Sequence, residues 1–292
     1  MLLILLACGA FLIFGIAKAF LSKSLQQEPL NEKLPSDIPA GFELRLSEAI
    51  KYKTVSSDDQ PIDKEAFQAF VEYIKATFPL VFAKSDVKHF NEHSLLISLD
   101  GSEPDCQPVV LMAHYDVVPV ESSTLEQWEQ PPFSGALLDG FIYGRGTLDD
   151  KCSLMGILES VEWLLKENMT LKAPLLIALG HDEEIGGQGA AAIAEYIKKS
   201  HRQLRVVLDE GGVIAQDIVP GLEHRAIALV GTAEKGHATF LLKYSGWAGH
   251  ASMPERDGAI AKIARAIYSI QKQPNTFKIT PPVKGFFKYL GK

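Results

Sequence analysis

The chain has 292 residues, 47% of them hydrophobic and 22% charged, and a formal net charge of −7, which suits one large α/β domain or one domain with part of a second. No basic block breaks the acidic balance, which excludes a general nucleic-acid binder. Cys8, Cys106 and Cys152 are too scattered for a disulfide framework or a thiolate zinc site, so any metal must be held by histidine and carboxylates.

Leu2–Ala17 carries no charge and is rich in Leu, Ile and Phe, with Lys18 and Lys23 after it. Residues 1–21 are therefore expected to be a membrane anchor or a signal segment. No basic stretch precedes the apolar run, which favours an uncleaved anchor. A cleaved segment would send the chain into the secretory pathway or outside the cytoplasm. The lysines that follow favour a cytoplasmic C-terminal side, and the orientation is left open. Residues 22–41 are polar, contain Pro29, Pro35 and Pro39, and are expected to be a linker.

Helical spacing of Phe67, Phe70, Val71, Ile74 and Phe78 predicts an amphipathic helix over Pro61–Phe78. Strands are expected at Val81–Phe90, Ser94–Leu99 and Pro108–His114. Asp139-Gly140 between apolar triplets predicts a hairpin over Ala136–Tyr143. A helix over Lys151–Lys166 buries one stripe of Leu154, Met155, Leu158, Val161, Leu164 and Leu165. A strand follows at Leu175–Leu179, a helix at Gly189–Lys199 and a strand at Leu204–Leu208. Further on, Ile227–Leu242 reads as strands and Asp257–Gln271 as a helix. Strands alternating with helices predict an α/β sheet covered on both faces.

Chemistry gathers where the apolar strands end. In His114-x-Asp116, residues two apart on a strand face one way. An imidazole can then bind a metal while the carboxylate fixes its orientation. Alone, the pair reads as a core histidine in a salt bridge. Gly144-Arg145-Gly146-Thr147-Leu148-Asp149-Asp150 delivers two carboxylates just before a helix, where either could be a plain N-cap. His181-Asp182-Glu183-Glu184 and Asp209-Glu210 each follow an apolar strand. Taken singly each is a solvated surface; together they converge where α/β sheets bind ligands, at the carboxyl ends of strands. One histidine with several carboxylates is a plausible ligand set for zinc or another divalent ion. A pair of cations would relieve the repulsion between so many carboxylates.

HYDVVP, YGRGTLDDK, GHDEE, VLDEGG and GHASMP occur in this order between about Phe42 and Pro254. The chain thereby resembles the co-catalytic metallopeptidases that include carboxypeptidase S, aminoacylase and the N-fatty-acyl amino acid hydrolase/synthase. The resemblance implies an α/β zinc-exopeptidase-like catalytic domain at 42–230, with a mixed sheet flanked by helices. It also implies an inserted α+β lid, or dimerisation domain, at 231–292, and hence a possible homodimer. It makes His114 and Asp209 ligands of one metal, with Glu210 the less favoured substitute for Asp209, Asp149 the bridging carboxylate and Glu184 a ligand of the second metal. By the same resemblance Asp116 orients His114, Glu183 is the general base, and His250 helps to hold the oxyanion. A cis peptide is expected at Asp149–Asp150.

The implied activity is hydrolysis of an amide bond in small peptides or N-acyl amino acids with two divalent metals, most simply zinc. Members of this family run longer, and no histidine follows His250 here. The expectation is therefore a chain cut short within the lid, whose second metal site lacks its final histidine. The alternative is a catalytically silent, membrane-tethered metal-binding fragment.

Overall fold

The computed structural model describes residues 13–14, 40–201, 203–219, 224–246, 249–250, 252, 256–274 and 276–290. The expected anchor or signal segment, and the linker up to residue 39, lie outside these residues except for Ile13 and Phe14. Among the described residues no helix is long and apolar enough to cross a membrane.

Helix α1 (Phe42–Ile50) follows Gly41, which takes a left-handed conformation at φ 80°, one that only glycine adopts cheaply. Helix α2 (Lys64–Thr77) starts where the Asp63 carboxylate accepts the N–H groups of Glu65 and Ala66, an N-cap that shortens the element expected from Pro61. Its Phe67, Phe70, Val71 and Ile74 are buried. Val81 lies in a short helix, α3 (Pro79–Ala83), with Pro79 in its first turn. This corrects the strand expected from Val81: proline is preorganised for a first helical turn, and strand β1 (Asp86–Phe90) begins only after it. Then come β2 (Ser94–Leu99), β3 (Val109–His114) and the hairpin of β4 (Ala136–Leu138) and β5 (Phe141–Tyr143). Helix α4 (Lys151–Lys166), β6 (Leu175–Gly180), α5 (Gln188–Ser200) and β7 (Val206–Leu208) complete this part of the chain.

The main sheet has the order β1-β2-β6-β3-β7. It is mixed: β2 runs antiparallel to β1 and β6, whereas β3 runs parallel to both β6 and β7. Alternation along the strands divides its residues between two cores. Leu95, Ile97, Ala113, Leu175, Ile177 and Leu179 pack with the buried faces of α2 and α4. Leu96, Val110, Leu176 and Ala178 pack under Ile193 and Ile197 of α5. Both faces are thus covered by helices, as the continuous apolar strands require. Because β3, β6 and β7 are parallel, the segments that follow them all leave from one end of the sheet.

The chain divides into two compact units, one of which spans Lys33–Gly211, while Gly212–Lys292 belong to the other. In the latter, β8 (Ile214–Gln216) pairs antiparallel with β9 (Ala226–Ala228), and helices α6 (Ala259–Lys272) and α7 (Pro281–Leu290) follow. The strands expected over Ile227–Leu242 shrink to the end of β9; residues 229–246 contain no helix or strand. Phe240 and Leu241 there are exposed. Apolar and β-branched composition favours a strand only where a partner strand receives it.

Candidate metal centre

His114 closes β3 with only 2% of its surface exposed. Its Nδ1 faces the backbone carbonyl of Asp116 at 3.0 Å and the Asp116 Oδ1 at 3.2 Å. A proton on Nδ1 is held there, which leaves Nε2 as the ring nitrogen that could ligate a metal. Nε2 lies 2.9 Å from Asp149 Oδ1, 3.3 Å from Glu210 Oε2 and 4.0 Å from Glu183 Oε2. One ring nitrogen is anchored, and the other faces three carboxylates.

Asp116 is fully buried. Its Oδ1 also accepts the Glu183 N–H, and its Oδ2 accepts the Glu184 N–H, each at 3.1 Å. The Ser56 hydroxyl donates to Oδ2 at 2.5 Å. Burial pushes the pKa of this carboxyl up, but the hydrogen bonds from His114 and Ser56 outweigh it and hold the group below its ordinary value. One carboxylate therefore ties the end of β3 to the tight turn Glu183–Ile185 that follows β6.

The Asp149–Asp150 peptide is cis. Asp149 reaches His114 Nε2, while the buried Asp150 accepts the His114 backbone N–H on Oδ2 at 3.2 Å. Asp150 sits at the N-cap position of α4 but makes no side-chain cap bond, so the plain N-cap reading does not describe it. Lys151 follows the pair in the chain, and its ammonium donates to the Ala49 and Tyr52 carbonyls at 3.0 and 2.7 Å and lies 4.8 Å from the centre of the Phe70 ring. Burial pushes the Lys151 pKa down to about 7.

Burial raises Asp150, Glu183, Glu184 and Glu210 above the ordinary carboxylate value, and neighbouring carboxylates add to it. Glu210 reaches about 7. Burial works against a charge on His114, but Asp116, Glu210 and Asp150 push its pKa up to about 10. These acids therefore favour a positive charge at the His114 ring. A divalent cation on Nε2 would take over that charge and ionise the acids.

The donor atoms fit such an ion. His114, Asp149 and Glu184 offer ligand atoms within 4.8 Å of one another, and so do His114, Asp150 and Glu210. Asp150 Oδ1 is a buried oxygen without a hydrogen-bond partner in the described structure, a cost that coordination would remove. A cleft of about 330 Å³ opens onto the group, lined by Met112, His114, Ala178, Glu183, Asp209 and Glu210 among others.

Of the residues expected from the sequence, His114, Asp116, Asp149, Glu183 and Glu184 come together. Asp209 lines the same cleft, but its Oδ1 accepts the backbone N–H of Glu210, and it is Glu210 whose carboxylate meets His114. His250 belongs to the other unit, where its Nδ1 lies 2.8 Å from the Ser252 hydroxyl. Sequence reasoning gave Asp150 no ligand role, although its place beside Asp149 was a signal. Ser56 was not singled out: it lies far away in sequence, inside no metal-ligand pattern.

Residues 110–287 match the model of peptidase family M20/M25/M40. The N-fatty-acyl-amino acid synthase/hydrolase PM20D1 of Bos taurus is 38% identical over 282 residues, covering 92% of this chain and 55% of that protein. The Homo sapiens protein of the same name is 38% identical and covers 83% of this chain and 49% of its own. The probable carboxypeptidase S-like 2 of Dictyostelium discoideum is 38% identical, covering 80% of this chain and 46% of that protein. This chain spans about half the length of these curated relatives. The crystal structure of human carnosine dipeptidase 1 aligns with a TM-score of 0.48 at 18% identity, covering 63% of this chain and 43% of that one.

Proposed function

Because the chain belongs to peptidase family M20/M25/M40, we propose that it carries the metal-binding half of a hydrolase that cleaves the amide bond of N-acyl amino acids or small peptides. The relatives' names supply the substrate class: one is an N-fatty-acyl-amino acid synthase/hydrolase, another a carboxypeptidase S-like protein. The single observation that carries the reading is the divided role of the His114 ring, with Nδ1 fixed by Asp116 and Nε2 facing Asp149, Glu183 and Glu210.

His114, Asp149 and Glu184 are the proposed ligand core, with Asp209 or its neighbour Glu210 completing the set. An imidazole among carboxylates suits zinc. Divalent cations held here would supply Lewis acidity toward the scissile carbonyl and a water acidified toward neutral pH. Glu183 acts as the general base: its carboxylate takes a proton from the attacking water and returns it to the leaving amine. Burial raises its pKa above the ordinary carboxylate value, the direction that favours holding the proton between the two transfers. Asp116 orients His114 and fixes the backbone of the base itself. His250 is the proposed oxyanion donor. Residues 1–21 are the proposed membrane anchor or secretory signal, and residues 231–292 part of a lid that can pair two copies.

A panel of dipeptides and N-acyl amino acids, assayed with and without added zinc, tests the reading. Glu183→Ala should lower zinc-dependent hydrolysis about 10²–10⁴-fold. Equal rates in the two proteins would remove Glu183 from the mechanism.

A further inference from the structure

The Asp116 carboxylate receives donors from two places in its own site, the His114 ring and the Glu183–Glu184 backbone, and from one place outside it, Ser56. Ser56 is 1% exposed and its oxygen lies 2.5 Å from Oδ2. The segment around it is fastened to the stretch after β3: the Ser56 N–H donates to the Val117 carbonyl at 3.1 Å, and the Val117 N–H to the Thr54 carbonyl at 2.9 Å. The buried Thr54 hydroxyl donates to the Tyr115 carbonyl. Residues 54–56 thus run beside residues 115–117, joined by one isolated parallel bridge between Val55 and Val117.

We infer that Ser56 is a positioning residue of the metal centre, whose hydroxyl fixes the rotation of the Asp116 carboxylate. An ionised carboxylate has about four lone-pair sites, and here each is occupied by one of four donors. Three of those donors must move if the plane turns: the Nδ1–H that aims His114, and the two N–H groups that hold the glutamate turn. The Ser56 hydroxyl is the donor that contributes no ligand and no reacting group, so its role is to set that plane. Its chain partners fix it from outside the sheet, 60 residues before Asp116. The inference rests on the reading of this cluster as a metal centre, and outer partners of metal ligands govern affinity through such contacts.

The test is zinc affinity of the 292-residue chain by competition with a chromophoric chelator, together with the amide proton resonances of Glu183 and Glu184. Ser56→Ala should weaken zinc about 10–100-fold and shift the Glu184 amide, the neighbour that shares Oδ2. Ser56→Thr, which keeps the hydroxyl, should restore both. A packing role alone would leave the Glu184 amide where it is. Wild-type affinity and an unmoved amide in the alanine variant would overturn the inference. So would a folded threonine variant as weak as the alanine one, a result that decides even if the alanine variant does not fold. Should the wild-type chain bind no zinc, the metal reading fails, and the amide resonances still decide whether Ser56 sets the carboxylate.

Discussion

Asp116 accepts the backbone N–H groups of both Glu183 and Glu184 at 3.1 Å, so the residue that aims His114 also sets the turn carrying the proposed base. One buried carboxylate therefore links the proposed metal ligand to the proposed base. Asp116→Asn keeps the shape but replaces one acceptor oxygen by an N–H donor facing donors. Zinc affinity should fall at least 10–100-fold, the range for losing an outer partner of a ligand, with the far-UV circular dichroism unchanged. Calorimetric titration of the two proteins checks this.

Gly189 lies where α5 presses on β2. Its N–H donates to both oxygens of Asp182, at 3.0 and 3.1 Å, and a Cβ placed on it would fall 1.9 Å from the Ser94 Oγ. Gly189→Ala should cost about 1–3 kcal/mol, the usual penalty for overpacking. Urea unfolding measures it as a lower midpoint at unchanged slope.

Phe67 is fully buried, and its ring lies within 6.3 Å, centre to centre, of the rings of His93, Tyr115 and His181. Phe67→Ala should cost about 3–5 kcal/mol. Thermal unfolding of the two proteins gives the difference.

Acid should destabilise this part of the fold through His93. Burial lowers its pKa below 6.5, and the neighbouring His181 lowers it further. Between the folded value and 6.5 the unfolded chain binds a proton that the folded chain refuses. Stability from this group is therefore complete above that pH and is lost as pH falls through the folded value. His114, whose pKa is raised, works in the opposite sense, with its contribution present at low pH and lost as pH rises. Urea unfolding of wild type and His93→Phe at several pH values isolates the His93 contribution: the variant's stability should fall less steeply below pH 6.5. Parallel curves would contradict the assignment.

The strands that build the centre were legible because each is an apolar run that ends abruptly in acids or histidine. β3 and β6 declare themselves as continuous apolar runs and α4 through its helical period, and His114-x-Asp116 through a spacing that puts both side chains on one face of a strand. Ser56 carries no such mark: its role comes from a pairing across 60 residues that local pattern does not encode. Asp209 and Glu210 are adjacent, and which carboxylate meets His114 depends on backbone direction after β7, which composition leaves open. Phe240, Leu241 and Leu242 resemble strand residues, yet nothing pairs them among the described residues. At Val81 the proline two residues earlier outweighed β-propensity.

Zinc titration of the chelator-stripped chain, wild type against His114→Ala, tests most directly whether His114 Nε2 is the core of a metal centre. The wild-type chain should bind zinc, and the alanine variant should lose more than the roughly 10–100-fold that removing an outer partner costs. Equal affinity in the two proteins would contradict the account.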